Sequence, residues 1–227
     1  MSATISIVIP VLNEAANIES AFAHSRQIAD EVIVVDGGSS DGTQEVLSRL
    51  DCVKVNSSAG RGQQLNVGST AATGDILLFL HADTTLPSEA RSQILQRWEA
   101  SNEESRAMFW GCFHQRINSP QFVFRCIEKG NQLRARYQRL PYGDQGVFVS
   151  RQLYDQVGGM PKIPLMEDFE FARRVSVFGS PNILPGPITV DNRRWEKVGP
   201  FRQTIRNWSL AMRYRLGASP ESLADRY

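Results

Sequence analysis

Three short stretches of this chain combine residue types that can hold a divalent cation, a phosphate or a proton. The apolar run 76–80 stops abruptly at His81-Ala-Asp83, the run 32–35 ends at Asp36, and Glu167-Asp168 follow a loop broken by prolines. A carboxylate at the end of a buried strand can bind a divalent cation and, through it, a diphosphate. An ionised carboxylate can instead accept a proton. The chain therefore has candidates for metal-assisted chemistry and for acid–base chemistry.

Each of these carboxylates also has a purely structural explanation. Asp83 can simply begin the turn before Pro87. Acidic residues in the first turn of a helix, such as Glu167 and Asp168, are stabilised by the helix dipole whether or not they have a chemical role. Which explanation applies depends on what other residues reach the same place.

Two further loops carry residues suited to anions or hydroxyl groups. The stretch Gly60-Arg-Gly62 leads into a predicted helix, where Arg61 offers a forked cation beside free amide groups. Asp144 and Gln145, in the turn-forming sequence 141–146, could hydrogen-bond sugar hydroxyls or simply cap the turn. The third glycine of a dinucleotide fingerprint is replaced by Leu65, and no P-loop pattern occurs in the sequence. This argues against dehydrogenases and P-loop enzymes.

The first half of the chain is predicted to alternate strands with helices, because β-branched runs alternate with apolar residues at helical spacing. We expect Pro10 to end the first strand, Asn13 to cap the first helix, and Asp41 with Gln44 to form a capping box. The run from Ile76, apolar on both faces, is typical of the centre of a parallel sheet. The predicted strands are 4–10, 31–36, 52–55 and 76–80, and the predicted helices are 15–28, one after 41, one beginning near 61, and 88–98.

The second half departs from this alternation. A polar linker at 99–106 precedes a predicted strand and then a helix whose arginines and lysine could meet an anion or form a solvated face. We expect one α/β domain over residues 1–227, with a nucleotide-binding half at 1–100 and an acceptor-binding half at 101–227. The predicted elements are a strand at 108–116, a helix at 122–137, a turn at 141–146 leading into 147–149, a helix from 167, extended structure at 183–190 and a basic helix at 201–216.

Composition limits the classes of partner and compartment. Lys and Arg number 25 against 24 Asp and Glu, so charge gives no reason to expect nucleic acid as a ligand. The three cysteines include no Cys-x-x-Cys pair, which argues against a thiolate zinc site and a disulfide framework and favours the cytoplasm. No apolar run approaches the roughly 20 residues that span a bilayer. We therefore expect a soluble protein whose association with membranes is peripheral at most.

Five short motifs occur in order along the chain. They are Val8-Ile-Pro-Val-Leu-Asn-Glu14, Asp36-Gly-Gly-Ser-Ser-Asp-Gly-Thr43, His81-Ala-Asp83, Glu167-Asp168 and Arg193-Arg-Trp195. Together they make this sequence resemble the family 2 glycosyltransferases, the inverting nucleotide-sugar enzymes of the GT-A fold. More narrowly, it resembles a small soluble subgroup labelled arsenosugar-biosynthesis glycosyltransferases. The resemblance covers nearly the whole chain and implies a Rossmann-like α/β fold with a mixed, mainly parallel sheet flanked by helices.

The resemblance implies a role for each chemical residue. Asp83 matches the last acid of the family's Asp-x-Asp motif, which binds Mg²⁺ or Mn²⁺ against the donor diphosphate. His81 replaces the first acid, and its imidazole would either complete the metal site or hydrogen-bond the ribose. Asp168 matches the catalytic base, and Glu167 would orient it or cap the helix. Arg194 would help to stabilise the diphosphate.

The resemblance also implies which residues surround the donor. Trp195 would stack against a sugar face, although packing is the alternative. Asp191 stands where processive family members have Gln, and, since no run is long enough to span a membrane, processive polymer export is not supported. Pro10, Leu12 and Glu14 would border the nucleotide, Asp36 would reach the base or ribose, and Arg61 would lie nearby.

The function implied is transfer of a sugar from a nucleotide-diphosphate donor, taken to be a UDP-sugar, to an acceptor hydroxyl with inversion. A nucleotide-sugar-binding protein without transfer activity is one alternative. A sugar nucleotidyltransferase is another, although the glycine-rich signature with Arg and Lys expected near its amino end is absent from the sequence. A basic, partly apolar helix at 201–216 would either pack on the core or meet a membrane surface.

Overall fold

One mixed sheet forms the centre of the fold. The computed structural model describes residues 2–225, apart from the side chains of Arg194 and Lys197. Within that part of the chain the sheet has eight strands in the order β3-β2-β1-β4-β7-β6-β8-β5. The strands are β1 Ile5–Val11, β2 Glu31–Asp36, β3 Val53–Asn56, β4 Ile76–Phe79, β5 Thr84–Thr85, β6 Trp110–Ile117, β7 Phe148–Ser150 and β8 Asn182–Val190.

The strand directions determine which chain ends meet. In the described residues the β1–β2, β2–β3, β1–β4 and β6–β8 pairings are parallel. β7 is antiparallel to both of its neighbours, β4 and β6, and β5 is antiparallel to β8. Since β7 reverses direction on both sides, β6 and β8 run the same way as β4. The prediction of a mixed, mainly parallel sheet is confirmed.

Helices cover both faces of this sheet, as the continuous apolar run of β4 predicts. Ile76 and Leu78 belong to one core cluster, and Leu77 and Phe79 to another. All four side chains are buried, so β4 has no solvent-facing side. The helices are α1 Ile18–Arg26, α2 Thr43–Arg49, α3 Arg61–Ala71, α4 Ala90–Glu99, α5 Glu103–Ala107, α6 Phe122–Leu133, α7 Arg151–Gln156, α8 Glu167–Val175, α9 Arg193–Val198, α10 Pro200–Arg215 and α11 Pro220–Ala224.

Pro10 does not end β1, contrary to the sequence prediction. The strand continues to Val11, and Pro10 stays in register with Val35 of β2. Backbone groups of a strand point alternately to its two neighbours: the Val8 carbonyl accepts from Leu80 on the β4 side, and the Val11 carbonyl accepts from Gly37 on the β2 side. The nitrogen of Pro10 therefore faces the β4 side, where β4 has already ended. The absence of an N–H group on Pro10 therefore costs the sheet no hydrogen bond between strands.

Two predicted helix caps are also wrong. α1 begins only at Ile18, and Asn13, with a φ of 58°, instead accepts a hydrogen bond from the Ser40 amide at 2.9 Å. Gly42 is the N-cap of α2, and Gln44 donates to Asp36 across the loop. Asn13 thus joins the loops that follow β1 and β2, and Gln44 joins the two ends of one loop.

The remaining predicted elements are confirmed with small changes in their bounds. The linker 99–106 contains most of α5, since its acidic residues lie in the first turn of a short helix that begins after the Asn102 cap. α6 continues into a single π-helical turn at Arg134–Gln138. A 3₁₀ turn at Gly143–Gln145 precedes β7. In the part of the chain that the structure describes, no helix is long and apolar enough to cross a bilayer.

Candidate active site

The candidate site lies at one edge of the sheet, where the carboxyl ends of β1, β2, β4, β6 and β8 meet the amino end of β7. Ligands of α/β proteins bind in the crevice outside such strand ends. Because β7 runs antiparallel, the turn at Gly143–Gln145, which precedes it, reaches the same edge as the loops that follow β2 and β4. Segments from both halves of the chain therefore meet at this edge.

The turn that carries Asp83 is held at both of its ends. The amide and the hydroxyl of Thr84 both donate to the His81 carbonyl, at 3.1 and 2.8 Å. β5 then pairs with the last residues of β8, and the Asp191 amide donates to the Asp83 carbonyl at 3.3 Å. His81 and Asp83 are half-buried. The structure thus positions both predicted metal-site residues between the ends of β4 and β8.

His81, Gly143 and Asp168 converge on one point. A Cβ atom on Gly143 would lie 3.0 Å from His81 Nε2 and 3.3 Å from Asp168 Oδ2, so a side chain at this position would press on both groups. The Gly143 amide donates to Asp168 Oδ2 at 2.7 Å, and the Phe169 amide donates to Asp168 Oδ1 at 2.7 Å. These two bonds fix the orientation of the Asp168 carboxylate.

Glu167 is buried beside this carboxylate and forms an ion pair with Arg61. Arg61 Nη1 lies 3.0 Å from Glu167 Oε1, and the Glu167 side chain is only 4% exposed. Burial raises the pKa of Glu167, the Arg61 guanidinium opposes that rise, and the negative charge of Asp168 adds to it. The pair joins the amino ends of α3 and α8. Glu167 therefore links the two helix ends beside Asp168, and its orienting role stays a prediction.

Arg134, in the π-helical turn after α6, holds the turn that contains Gly143. Its Nε donates to the Leu140 carbonyl at 2.9 Å, and its Nη1 donates to Asn131 Oδ1 at 2.9 Å. Its Nη2 donates to Gln145 Oε1 at 3.1 Å, and the guanidinium lies 3.3 Å from the centre of the Tyr142 ring. A planar, forked cation suits this combination of stacking and hydrogen bonds.

The same network includes Asp144 and Gln145, the two predicted sugar ligands. Gln115 of β6 donates to Asp144 Oδ2 at 2.7 Å and accepts from Asn131 at 2.7 Å, which links Asp144 to Arg134. Gln145 is 1% exposed, and its Oε1 accepts from the Tyr142 amide. Gln145 therefore caps its own turn and is not presented to a sugar, which is the second of its two predicted alternatives.

On the other side of the site, the ends of β1 and β2 are joined by Gln64 of α3. Its Nε2 donates to the Val11 carbonyl at 2.8 Å and to the Val35 carbonyl at 2.9 Å. Gly37, the first residue after β2, lies so close that a Cβ atom there would be 3.0 Å from the Gln64 amide. This crosslink fixes the spacing of the two loops that are predicted to border the nucleotide.

Asp36 is buried within the loop that follows β2. Its Oδ1 accepts from the Ser39 hydroxyl at 2.5 Å and its Oδ2 accepts from Gln44 at 2.8 Å. Burial alone would raise the pKa of Asp36, but the hydrogen bonds from Ser39 and Gln44 outweigh it and hold the pKa below its usual range. Asp36 therefore shapes its own loop, and its contact with a base or ribose stays a prediction.

The residues predicted to border the nucleotide lie along the neighbouring segment. Leu12 is 46% exposed, and Pro10 is half-buried at the end of β1. The Glu14 amide donates to the Thr43 hydroxyl at 2.9 Å, and Glu14 Oε2 accepts from Asn17 at 2.5 Å. The segment is thus tied to the loop after Asp36, with the Leu12 side chain exposed beside it.

Two small cavities lie under α10 at this sheet edge. The first, of about 110 Å³, is lined by His81, Asp168 and, from α10, Asn207 and Leu210. The second, of about 50 Å³, shares His81, Asp144 and Asn207 with the first and adds Asp83, Asp191 and Trp195. The proposed base and the proposed metal ligand therefore line adjoining spaces.

Trp195 packs and also lines the second cavity. It is buried with Ile117, Phe124 and Val190, and its ring meets Phe124 edge-on at 5.9 Å. Its indole N–H has no hydrogen-bond partner in the described part of the chain. Trp195 therefore packs in the core, as one of its two predicted alternatives has it, and its stacking on a sugar stays a prediction. The Arg194 side chain lies outside the described residues, so its predicted role also stays a prediction.

The sequence pattern did not single out several residues that build this site. Gln64, Gln115 and Asn131 act through hydrogen bonds to residues far away in the chain. No local sequence pattern indicates such bonds. Arg134 was noted only among the basic residues of a helix face. Gly143 lies inside the turn-forming sequence 141–146, so that sequence was the available signal.

Gly62 lets α3 approach the loop before α8. A Cβ atom at this position would lie 2.1 Å from the Pro161 carbonyl oxygen, so Gly62→Ala should lower the free energy of unfolding by about 1–3 kcal/mol in urea titrations. Gly130 of α6 is the matched control, since a Cβ atom there meets nothing within 4 Å. Gly130→Ala should raise stability by about 0.5–1 kcal/mol. Equal stability of the Gly62→Ala variant and the wild type would contradict the close approach.

Comparison with known proteins shows the family of this chain. The family described as Glycosyl transferase family 2 matches residues 6–156, more than half of the chain. The chain belongs to glycosyl transferase family 2. The match includes the loops after β1, β2 and β4 and the turn at Gly143–Gln145, but ends before Glu167.

Two curated relatives of this family 2 glycosyltransferase match its sequence over part of their length. One is the glucosyl-3-phosphoglycerate synthase of Mycobacterium tuberculosis, 36% identical over 97 residues, which are 37% of this chain and 30% of the relative. The other is the undecaprenyl-phosphate 4-deoxy-4-formamido-L-arabinose transferase of Aeromonas hydrophila, 30% identical over 106 residues, 40% of this chain and 32% of the relative. The chain thus matches only about a third of the length of each.

Solved structures resemble the family 2 chain over most of its length. The mannosyltransferase PcManGT of Pyrobaculum calidifontis, in complex with GDP-Man and Mn²⁺, has a TM-score of 0.60 and 20% identity, covering 91% of this chain and 65% of that one. The M. tuberculosis glucosyl-3-phosphoglycerate synthase with Mn²⁺, UDP and glucosyl-3-phosphoglycerate has a TM-score of 0.55 and 20% identity. The likeness covers 83% of this chain and 70% of that one. S. aureus TarS with UDP-GlcNAc has a TM-score of 0.58 and 18% identity, and the likeness covers 83% of this chain and 58% of that one. These likenesses confirm the GT-A fold.

Proposed function

We propose that this chain transfers a sugar from a nucleotide-diphosphate donor to an acceptor hydroxyl, with inversion at the anomeric carbon. One observation carries the proposal. Asp168, oriented by the Gly143 and Phe169 amides, lines a cavity that adjoins the one lined by Asp83. This arrangement supports a base on one side of a bound sugar and a diphosphate site on the other.

The donor would lie along the half of the chain at 1–100 and the acceptor along the half at 101–227, within one domain. Loops tied together by Asn13, Gln64 and Glu14 support the first assignment. We take a UDP-sugar as the donor, because two of the three solved neighbours described above contain UDP or UDP-GlcNAc. A GDP-sugar is the alternative that the mannosyltransferase suggests.

The proposed reaction is a single displacement. The acceptor oxygen forms a bond to the anomeric carbon while the bond from that carbon to the diphosphate oxygen breaks, and the nucleoside diphosphate leaves with the electron pair. Asp168 takes the proton of the acceptor hydroxyl as attack proceeds. Since attack occurs opposite the leaving group, the configuration inverts. Arg61 lines the same cavity as Asp168, beside Glu167, so it would meet the diphosphate only where the donor extends from the Asp83 cavity into this one.

The residues around Asp83 fit a divalent cation that the donor helps to bind. Asp83, Asp144, Asp191 and His81 line one cavity, and Mg²⁺ and Mn²⁺ prefer oxygen ligands. Across residues 2–225 no group of three or more His, Cys, Asp or Glu side chains is arranged to hold a metal by itself. Mg²⁺ is usually bound by one or two carboxylates together with substrate phosphates and water, which is what Asp83 could provide. A cation bound there would stabilise negative charge on the leaving diphosphate.

Asp83→Ala should lose metal-dependent nucleotide binding, since it removes the proposed carboxylate ligand. We expect the affinity for UDP in the presence of Mn²⁺ to fall by more than about tenfold, measured by titration calorimetry. Asp155→Ala is the control, because Asp155 is exposed on α7 away from both cavities. If wild type and Asp83→Ala bound UDP equally well with and without Mn²⁺, the metal role of Asp83 would be wrong.

The test of the function is turnover of a panel of UDP- and GDP-sugars in the presence of Mn²⁺. Release of nucleoside diphosphate by slow hydrolysis needs no acceptor, so the assay can be run before the acceptor is known. We expect hydrolysis of at least one donor, stimulated by Mn²⁺. Binding of UDP without release from any donor or transfer to any acceptor would identify a binding protein, and release of pyrophosphate from a nucleoside triphosphate would identify a nucleotidyltransferase.

A further inference from the structure

The outer face of α10 carries an apolar stripe that nothing in the described chain covers. Five large apolar side chains, 54–80% exposed, recur at helical spacing along it and just beyond its end. The inner face is different: Gln203, Leu210 and Ala211 are buried against the rest of the protein. The helix therefore packs on the core and still presents a second apolar face. That face consists of Phe201, Ile205, Trp208, Met212 and Leu216, and we call it the α10 stripe.

Arginines border the α10 stripe. At about 100° per residue, Arg202, Arg206 and Arg213 fall along one side of the stripe and Arg215 along the other. The sequence Pro200–Arg215 contains no acidic residue. A helix with an exposed apolar face that includes Trp and with arginines at its borders has the pattern of helices that lie in the membrane interface, where the cations meet lipid headgroups.

The end of α6 extends this surface. Leu133 and Tyr137 are 46% and 73% exposed, and a groove of about 400 Å³ between them and α10 is lined by Trp208 and Met212 as well. Arg136 is exposed in the same π-helical turn. The apolar and basic character of the α10 stripe therefore continues onto a second helix, over an area wider than one helix face.

We propose that the α10 stripe and the exposed end of α6 dock on a bilayer that contains anionic lipids. Charge favours this occupant over a second copy of the chain, because symmetric pairing of two α10 helices would bring their arginines together with no acid in either helix. Anionic headgroups supply the complementary charge, and the acyl region takes the apolar side chains. Asn207 and Leu210, on the inner face of α10, line the candidate site. Docking thus places the site about one helix diameter, 10–12 Å, from the lipid surface.

The test is flotation of the full chain with phosphatidylcholine vesicles, with or without phosphatidylglycerol. We expect about tenfold more protein to float with the anionic vesicles at low salt, and high salt to reduce that fraction. Ile205→Ser combined with Trp208→Ser should abolish flotation, and Arg202→Gln combined with Arg213→Gln should remove the preference for anionic vesicles. Val177→Ser is the matched control, since Val177 is an 81% exposed apolar residue outside this surface.

A second readout uses the wild-type chain and a conservative variant. Trp fluorescence should shift to shorter wavelength when anionic vesicles are added, and Trp208→Phe should still float but lose most of that shift. Failure of the wild type to float, or unchanged flotation of the Ile205→Ser, Trp208→Ser variant, would overturn the proposal. A dimer in solution that these two substitutions convert to a monomer, without vesicle binding by the wild type, would show that a second copy covers the stripe.

Discussion

Asp168→Asn should lower kcat by about a thousandfold, because an amide cannot accept the proton of the acceptor hydroxyl. The change removes a charge but almost no volume, and an amide oxygen can still accept the Gly143 or Phe169 N–H that orients the native carboxylate. We therefore expect the affinity for the donor to change by only a few fold. Measurement of kcat with a verified acceptor, together with donor affinity by calorimetry, separates loss of the base from loss of binding.

Glu170→Gln is the control for this variant. Glu170 lies on the same turn of α8, but it pairs with the exposed arginines Arg173 and Arg174 and lines neither cavity. Since Glu170→Gln keeps the size of the side chain and ion pairs to exposed arginines contribute about 1 kcal/mol or less, this variant should remain folded and keep its kcat. Full transferase activity of Asp168→Asn, or an equal loss in both variants, would contradict the assignment of Asp168 as the base.

Arg134→Met should lower the free energy of unfolding by about 3 kcal/mol, because it leaves three acceptors without their charged donor at a largely buried position. It should also reduce kcat, since Arg134 holds Gln145 and Tyr142 on either side of the amide that orients Asp168. Arg134→Lys keeps the charge but not the fork, so we expect it to recover only part of both losses. Urea titration and turnover measure the two effects.

The neighbouring Arg136 provides the control for Arg134. It is exposed in the same π-helical turn, so Arg136→Met should change stability by less than about 0.5 kcal/mol and leave kcat unchanged. If Arg134→Met were as stable and as active as Arg136→Met, the hydrogen bonds of Arg134 would not be what holds the 141–146 turn.

Much of the fold could be predicted from the sequence, since it depends on local patterns. β2 has the predicted bounds, 31–36, because its β-branched run is preceded by the acidic residues Asp30 and Glu31 and followed by Asp36 and two glycines. β4 was predicted to be covered on both faces because its apolar residues do not alternate with polar ones, and it is. Asp36 and Asp83 were predicted to lie at strand ends and Asp168 in the first turn of a helix, and the structure brings all three to one edge of the sheet.

What could not be predicted depends on contacts between distant segments. Pro10 stays within β1 only because its neighbour β4 ends two residues earlier, which the sequence around Pro10 does not contain. Asn13 was assigned to a helix cap because its partner, the Ser40 amide, is 27 residues away in the chain. Gln145 was predicted as a sugar ligand or a turn cap, and in the structure its amide oxygen accepts a hydrogen bond from Arg134. The residue type shows what a group can bond, but the fold decides which partner it meets.

Gln64 illustrates how strand geometry can determine the identity of a single amino acid. Neighbouring parallel strands are about 4.8 Å apart, and one group can bond the Val11 and Val35 carbonyls near this edge only if it has two N–H bonds that reach both. Glutamate has the same length but would set a charged acceptor against two carbonyl oxygens, and asparagine is one methylene shorter. Lysine has the donors, but it would bring an ammonium to a position that is 4% exposed. The chemical requirement at position 64 is therefore an amide of this length, and the separation of the loops after β1 and β2 depends on it.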